Sequence, residues 1–160
     1  MASDTGNRLK WPLIVAATLV VLRIVLEQLG SPDSINNILG VAWLHFLVPF
    51  YLAYRIQSTG SDRPYRALFK DLFLYTLYTR LMVLVTYWMA YLWQWQSPRF
   101  LLARGGNVGE GIGPLQGTLV IPGRNLVVWV VMAMVTGMVL GSILLLVKRR
   151  ADKTAGAGAS

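Results

Sequence analysis

The sequence contains no cysteine, a single histidine and few charged residues. Without cysteine the chain forms no disulfide, no thiolate metal site and no cysteine nucleophile. With His45 as its one histidine, it cannot build a multi-histidine metal site within one chain. Charged residues make up 14% of the 160 residues, against about 25% in a typical soluble domain. Such a chain lacks the charge to cover a water-facing surface, and we assign no catalytic residue and no metal ligand from the sequence.

Negative charge is scarcer still, with 7 Asp and Glu against 15 Lys and Arg and a net charge of +8. A basic protein that binds nucleic acid carries its Lys and Arg on a water-soluble face. Here they lie mostly between and after long apolar runs, and hydrophobic residues make up 55% of the chain. This arrangement is typical of a membrane protein that contacts anionic lipid headgroups, and it argues against a nucleic-acid partner.

Four apolar runs are long enough to form transmembrane helices, which need about 20 residues each. Arg8 and Lys10 precede the first run and no small-residue cleavage site follows it, so we expect a retained helix. An interfacial first helix is the alternative, because Arg23 and Glu27 interrupt the run. The sequence predicts an all-α integral membrane protein with a single membrane domain over residues 1–160. The predicted transmembrane helices lie at about 11–29, 38–56, 71–95 and 125–147. A long glycine-rich outer loop is predicted at 96–124, and a basic, disordered tail at 148–160.

The orientation is predicted from the Lys and Arg residues, which are enriched in cytoplasmic segments. Ten of them lie in the N-terminal tail, the loop between the second and third helices and the C-terminal tail, whereas three lie in the outer loop. Lys and Arg are thus enriched in every second segment outside the four spans, as expected when both termini lie on the same side of the membrane. An aromatic belt marks the outer end of the third helix, formed by Trp88, Tyr91, Trp93 and Trp95. We predict that both termini are cytoplasmic and that the protein lies in the cell (inner) membrane.

Arg80 is the most informative residue, because it lies about nine residues, or about 14 Å, into the third helix. A charge near the bilayer midplane is costly and should face the bundle or a wet cavity. Thr76, Thr79 and Tyr87 share its helix face. Arg80 either contacts an anion, a lipid headgroup or a quinone, or it clamps two helices together. We predict that Arg80→Leu impairs function or assembly more than a change at any outer-loop arginine.

Two further polar groups lie in the first and second helices. Arg23 and Glu27 lie one turn apart and can form an ion pair, or Glu27 is a protonatable carboxyl. Pro49 removes the helical partner of the His45 carbonyl, which predicts a kink and a polar pocket near His45. His45 is then an axial ligand to a haem or pigment, a proton relay, or a hydrogen-bond partner of a neighbouring helix. No particular cofactor follows from the sequence.

Small residues mark one face of the fourth helix and the loop before it. Ala133, Gly137 and Gly141 share the helix face, and the two glycines form a GxxxG motif that favours close packing within the bundle or against another subunit. The outer loop has seven glycines but no strand and helix around them to make a dinucleotide site. Its apolar flanks, 99–102 and 118–122, favour an ordered hairpin, flap or docking surface over a flexible linker.

Three classes of function fit this pattern, and the first is favoured. A small chain with a GxxxG face and a long outer loop is typical of an accessory or structural subunit of a larger membrane complex, partnered by other membrane subunits or by its own copies. Alternatively, Arg80 and Glu27 serve a small oligomeric transporter or channel. The third class is a membrane-embedded enzyme acting on lipids or quinones, although no base or nucleophile is spaced against Arg80 or His45.

Overall fold

The computed structural model describes residues 2–157, and the long elements in that range are all helices. The described residues include one isolated parallel bridge, between Leu101 and Val108, and no named strand. The α-helices are α1 (Ala2–Gln28), α2 (Asp33–Ile38), α3 (Leu44–Ser58), α4 (Pro64–Trp93) and α5 (Ile121–Ala157). Short 3-10 turns cover Val41–Trp43, Pro98–Phe100 and Leu102–Arg104, and a π-helical turn covers Gln116–Val120.

Three segments are long and apolar enough to cross a membrane: Thr5–Gln28, Asp33–Ser58 and Gln116–Lys148. At 30 residues, α4 is about 45 Å long, but Arg80 and several threonines and tyrosines interrupt its apolar run. Large apolar side chains cover the outside of the molecule. This outer surface suits hydrocarbon rather than water, so the fold is consistent with a helical membrane protein.

The core lies where α4 meets α3 and α5. Leu68, Leu72 and Tyr75 of α4 are buried there with Leu52 of α3 and Leu145 of α5.

The two glycines of the GxxxG motif face this core. A Cβ added at Gly137 would lie 3.2 Å from the Leu72 methyls, and one added at Gly141 would lie 2.7 Å from Leu68 Cδ2. Glycine at these positions therefore lets α5 approach α4 closely. Ala133 is also buried, at 5% exposure.

Ion pairs join the helices at opposite ends of the bundle. At one end, Arg8 Nε donates to Asp71 Oδ2 at 2.6 Å, and both side chains are buried. At the other end, Arg99 of the turn after α4 pairs with Glu27 near the end of α1. The turns at 29–40 and 94–120 therefore lie at one end of the molecule, and the starts of α1 and α4 lie at the other.

Several predicted boundaries differ from the structure. Helix α1 begins at Ala2 rather than near residue 11, because the Arg8–Asp71 pair holds its first turns against α4. Helix α5 continues to Ala157, whereas a disordered tail was predicted from residue 148. Residues 148–155 contain no glycine or proline and are rich in Ala, Lys and Arg, which favour helix. The last three residues of the predicted tail lie outside the described residues.

The second predicted helix, 38–56, is broken rather than kinked. Helix α2 ends at Ile38, Gly40 is extended, and α3 begins at Leu44 after a 3-10 turn. His45 therefore lies in the first turn of α3, and Pro49 lies inside that helix. A Cβ on Gly40 would lie 3.1 Å from Arg23 Nη1, so glycine at the break leaves room for the arginine.

Residues 94–120, which we call the cap, are ordered but do not form the predicted hairpin. The Asn107 amide is fully buried and donates to the carbonyls of Tyr87 and Gly117 at 2.7 and 2.8 Å. Phe100 packs with Ala90 in a second small core. The cap ends earlier than the predicted loop, because the π-helical turn at Gln116–Val120 runs directly into α5.

Candidate functional site

A cavity of about 180 Å³ lies between α1, α4, α5 and the cap. Arg23, Arg80 and Arg99 bring three guanidinium groups to its wall from three different elements. The polar residues Tyr87 and Asn125 also line it. The remaining wall is apolar and is formed by Val20, Val41, Ala42, Val83, Leu84, Pro122, Leu126 and Trp129. A cationic cavity with apolar walls suits an anion that carries an apolar group.

Arg80 reaches the cavity from the middle of α4. Its side chain is almost fully enclosed, at 6% exposure. Arg80 Nη2 donates to His45 Nε2 at 2.7 Å, and its Cζ lies 4.6 Å from the ring centroid of Trp129. The neighbours that hold Arg80 are thus a neutral imidazole and an aromatic face. Neither of these two contacts cancels its charge.

His45 acts as a hydrogen-bond acceptor in this arrangement, because arginine has no acceptor atom. Its Nε2 is the accepting nitrogen, so Nδ1 carries the proton in the neutral ring. The Nε2 lone pair that an axial metal ligand would use is occupied by Arg80. In residues 2–157, no group of three or more His, Asp or Glu side chains lies close enough to hold a metal ion.

The outer wall of the cavity is a three-member ion cluster around Glu27. Arg23 Nε donates to Glu27 Oε1 at 2.8 Å, and Arg99 Nε donates to Oε2 at 2.9 Å. The Glu27 side chain is 3% exposed, whereas those of Arg23 and Arg99 are 19% and 18% exposed. Burial lowers the pKa of Arg99 from its usual value, and the Glu27 carboxylate opposes that shift. One carboxylate thus faces two guanidinium groups.

A second, more polar cavity of about 270 Å³ lies directly above the first. The two cavities share Arg23, Tyr87 and Arg99 as lining residues. The upper one is also lined by Asp33 and Arg104, which form an exposed ion pair at 3.0 Å. Arg23, Tyr87 and Arg99 therefore lie between the two cavities, and Arg80 lines only the lower one.

Two buried guanidinium atoms at this site have no hydrogen-bond partner among the described residues: Arg80 Nε and Arg99 Nη2. Buried donors are normally paired, and an unpaired donor on a charged group is especially costly. Across both cavities, Arg23, Arg80, Arg99 and Arg104 carry four positive charges, and Glu27 and Asp33 supply two negative charges, which leaves two positive charges in excess. The excess positive charge and the free donors favour an anionic ligand.

The structure places the other predicted polar residues in two groups. Tyr87 lines both cavities, two turns along α4 from Arg80. Thr76 and Thr79 are buried, at 2% and 0% exposure, but they are not among the residues that line the cavities. They face the bundle interior near Tyr75, whose ring packs edge-on to His45 at 6.1 Å.

Sequence reasoning missed Arg99 and Trp129 as members of the site. Arg99 was counted only as an outer-loop charge, and its depth depends on the fold of the cap. Trp129 lies one turn after Asn125 on an otherwise apolar stretch of helix, and one asparagine alone was too weak a pattern to place Trp129 at a site. Arg99 follows Pro98 directly after the third apolar run, and that position gave one indication that it stays near the membrane surface.

Comparisons with known proteins add no further assignment. No family model, no curated protein and no solved structure matches this chain. The site is therefore interpreted from its own chemistry.

Proposed function

We propose that this protein spans the membrane four times, with both termini in the cytoplasm, and binds an anionic amphiphile in the cavity between Arg23, Arg80 and Arg99. The observation that carries the proposal is a cavity lined by three arginines, of which Arg80 and Arg99 each have a buried guanidinium nitrogen without a hydrogen-bond partner among the described residues. An acidic oxygen is the group that satisfies such donors best.

The apolar part of the wall supports an amphiphile rather than a simple anion. Val83 and Leu84 of α4 and Leu126 of α5 line the cavity beside the arginines. Trp129 contributes an aromatic face and remains 45% exposed. A headgroup held by guanidinium groups would thus continue into hydrocarbon contacts.

The four-span topology supports the same ligand. The Arg8–Asp71 and Arg99–Glu27 pairs lie at opposite ends of the bundle, as an up-and-down arrangement of four long segments requires. The Lys and Arg count favours the Arg8 end as cytoplasmic. The cavity then opens toward the outer leaflet of the cell membrane.

The proposal favours some of the functions that were considered from the sequence over others. Lipid interaction and transport both use a bound anion at Arg80, and the cavity favours them. The role of accessory subunit of a larger complex stays a prediction, because a bound lipid is compatible with either role.

The test is lipid binding by the purified chain in mild detergent. Native mass spectrometry with equal amounts of dioleoyl phosphatidylglycerol and phosphatidylcholine should show at least about fivefold preference for the anionic lipid, or about 1 kcal/mol. Arg99→Gln should remove this preference. Arg124→Gln is the matched control, because Arg124 lies in the first turn of α5, at the same end of the bundle, but is exposed and lines neither cavity.

Equal binding of both lipids by the parent chain would overturn the proposal. Equal loss in Arg99→Gln and Arg124→Gln would also overturn it, because the preference would then come from surface charge rather than from the cavity.

A further inference from the structure

The charges around the two cavities restrict the kind of headgroup. We infer that the anionic amphiphile is a phosphomonoester, with a dianionic headgroup held between Arg80 and Arg99 and an apolar tail on the α4–α5 wall. This inference rests on the proposed function and narrows its ligand from any anionic amphiphile to one with a terminal phosphate.

The charge balance is the first argument. Arg23 and Arg99 share the single carboxylate of Glu27, and Arg80 is held by the neutral His45. The cluster therefore carries two positive charges in excess. A phosphodiester headgroup supplies one negative charge and would leave one buried cation uncompensated, which is costly in a low-dielectric site. A phosphomonoester carries close to two negative charges above pH 7 and balances the site.

The arrangement of donors is the second argument. Arg80 Nε and Arg99 Nη2 are the buried donors without partners. Tyr87 lines both cavities, beside Arg80 in the lower one and beside Arg99 in both. Its hydroxyl is a third donor to the same space. A terminal phosphate offers three free oxygens to these three groups, whereas a diester offers two.

The position of the headgroup between the cavities is the third argument. A phosphate between Arg80 and Arg99 would lie where the polar upper cavity meets the apolar lower one. The upper cavity, which Asp33, Asn36 and Arg104 also line, provides polar surroundings on the headgroup side. The apolar residues Val83, Leu126 and Trp129 below then accommodate hydrocarbon.

Competition between two lipids with the same acyl chains tests the inference. The full-length protein in detergent is titrated with dioleoyl phosphatidic acid or dioleoyl phosphatidylglycerol at pH 8 and at pH 5, with dioleoyl phosphatidylcholine as the neutral reference. At pH 8 the monoester should bind at least about tenfold more tightly than the diester. At pH 5 the phosphomonoester loses its second charge, since its second pKa is about 6, and the two affinities should agree within about twofold.

The ratio of the affinities for the two anionic lipids reports the titration of the lipid phosphate rather than that of the protein. The ionisable groups of the protein that face the site are Arg23 and Glu27 from α1, Asp33 from α2, His45 from α3, Arg80 and Tyr87 from α4, and Arg99 and Arg104 from the cap. Helix α5 contributes Asn125 and Trp129 and no ionisable side chain from its described part. At pH 5 both lipid headgroups are mainly monoanions, so a change in the charge of the protein affects both lipids alike and cancels in the ratio. The pH comparison also requires no variant, so a folding defect cannot obscure it.

Variants add a second readout. Arg99→Gln should reduce the tenfold ratio at pH 8 to about two or less, and Arg124→Gln, at an exposed arginine that lines neither cavity, should leave it unchanged. Inorganic phosphate is the competitor that separates a lipid from a soluble phosphate, and it should not displace the lipid at millimolar concentration.

Each result that would contradict the inference overturns a different part of it. Equal affinity for the two anionic lipids at pH 8, with both above phosphatidylcholine, would overturn the monoester inference and leave the proposed function intact. Equal affinity for all three lipids would overturn both. Displacement by inorganic phosphate would overturn the amphiphile and assign the site to a soluble phosphate.

Discussion

At the residue scale, Glu27 is the carboxylate on which two arginines depend. Arg23 and Arg99 each donate to a different oxygen of it, and its side chain is 3% exposed. This pairing joins α1 to the cap at the mouth of the cavity. A buried charge whose partner is removed is far more costly than an exposed one, because water cannot replace the lost partner.

Glu27→Gln is expected to destabilise the protein by about 3–5 kcal/mol, since it leaves two guanidinium groups near one another without a counter-charge. Asp33→Asn is the matched control: the Arg104–Asp33 pair has side chains 63% and 43% exposed, and its loss should cost less than about 1 kcal/mol. Unfolding in mixed detergent micelles, followed by circular dichroism, measures both. Equal effects of the two changes would show that the Glu27 cluster is hydrated rather than buried.

The hydrogen bond between Arg80 and His45 makes a second prediction at this scale. His45→Leu removes the acceptor of a buried cation and should cost about 1.5–3 kcal/mol. Adding Arg80→Leu removes the cation itself, so the double variant should be less destabilised than the sum of the single variants. Lipid preference should be lost in Arg80→Leu and retained in Arg124→Leu, since Arg124 is exposed and lines neither cavity. Additive effects on stability would show that the two side chains do not interact.

At the element scale, α5 approaches α4 through its glycines. Gly141 meets Leu68 and Gly137 meets Leu72, so both face the core of the same chain. The GxxxG motif allowed two interpretations from sequence, packing within the bundle or contact with another subunit. The structure places the glycines within the bundle, because a single chain already fills the space beside them.

Gly141→Val is therefore expected to destabilise the fold by about 1–3 kcal/mol, because the added methyls overlap the fully buried Leu68. Gly123→Val is the control on the same helix, where an added Cβ meets nothing within 4 Å. Thermal unfolding and light scattering are measured on both. A change in oligomer size at unchanged stability in Gly141→Val would instead assign the motif to a contact between subunits.

At the scale of the whole molecule, apolar run length predicted the helical class, but local patterns did not predict the site. The pattern of apolar residues shows which segments avoid water, and from it we predicted the apolar segments. It does not report which helix faces meet, so the Arg80–His45 contact and the place of Arg99 beside Glu27 required tertiary structure. The break at Gly40 was also missed, because its reason is the approach of Arg23 from another helix.

The orientation of the chain gives the last prediction, and the absence of cysteine makes it simple to test. Ala103 in the cap and Asp62 in the turn between α3 and α4 are both exposed, and they lie at opposite ends of the proposed bundle. The Ala103→Cys variant should react with a membrane-impermeant maleimide in intact cells, and the Asp62→Cys variant only after permeabilisation, because Lys and Arg are concentrated on the Asp62 side.

The reverse pattern of labelling would place the mouth of the cavity in the cytoplasm, where it would draw ligands from the inner leaflet. Reaction of both variants in intact cells would mean that α4 does not cross the membrane between the two labelled positions. Arg80 would then lie in the interface rather than at the midplane, and the cost of its charge would no longer demand a ligand.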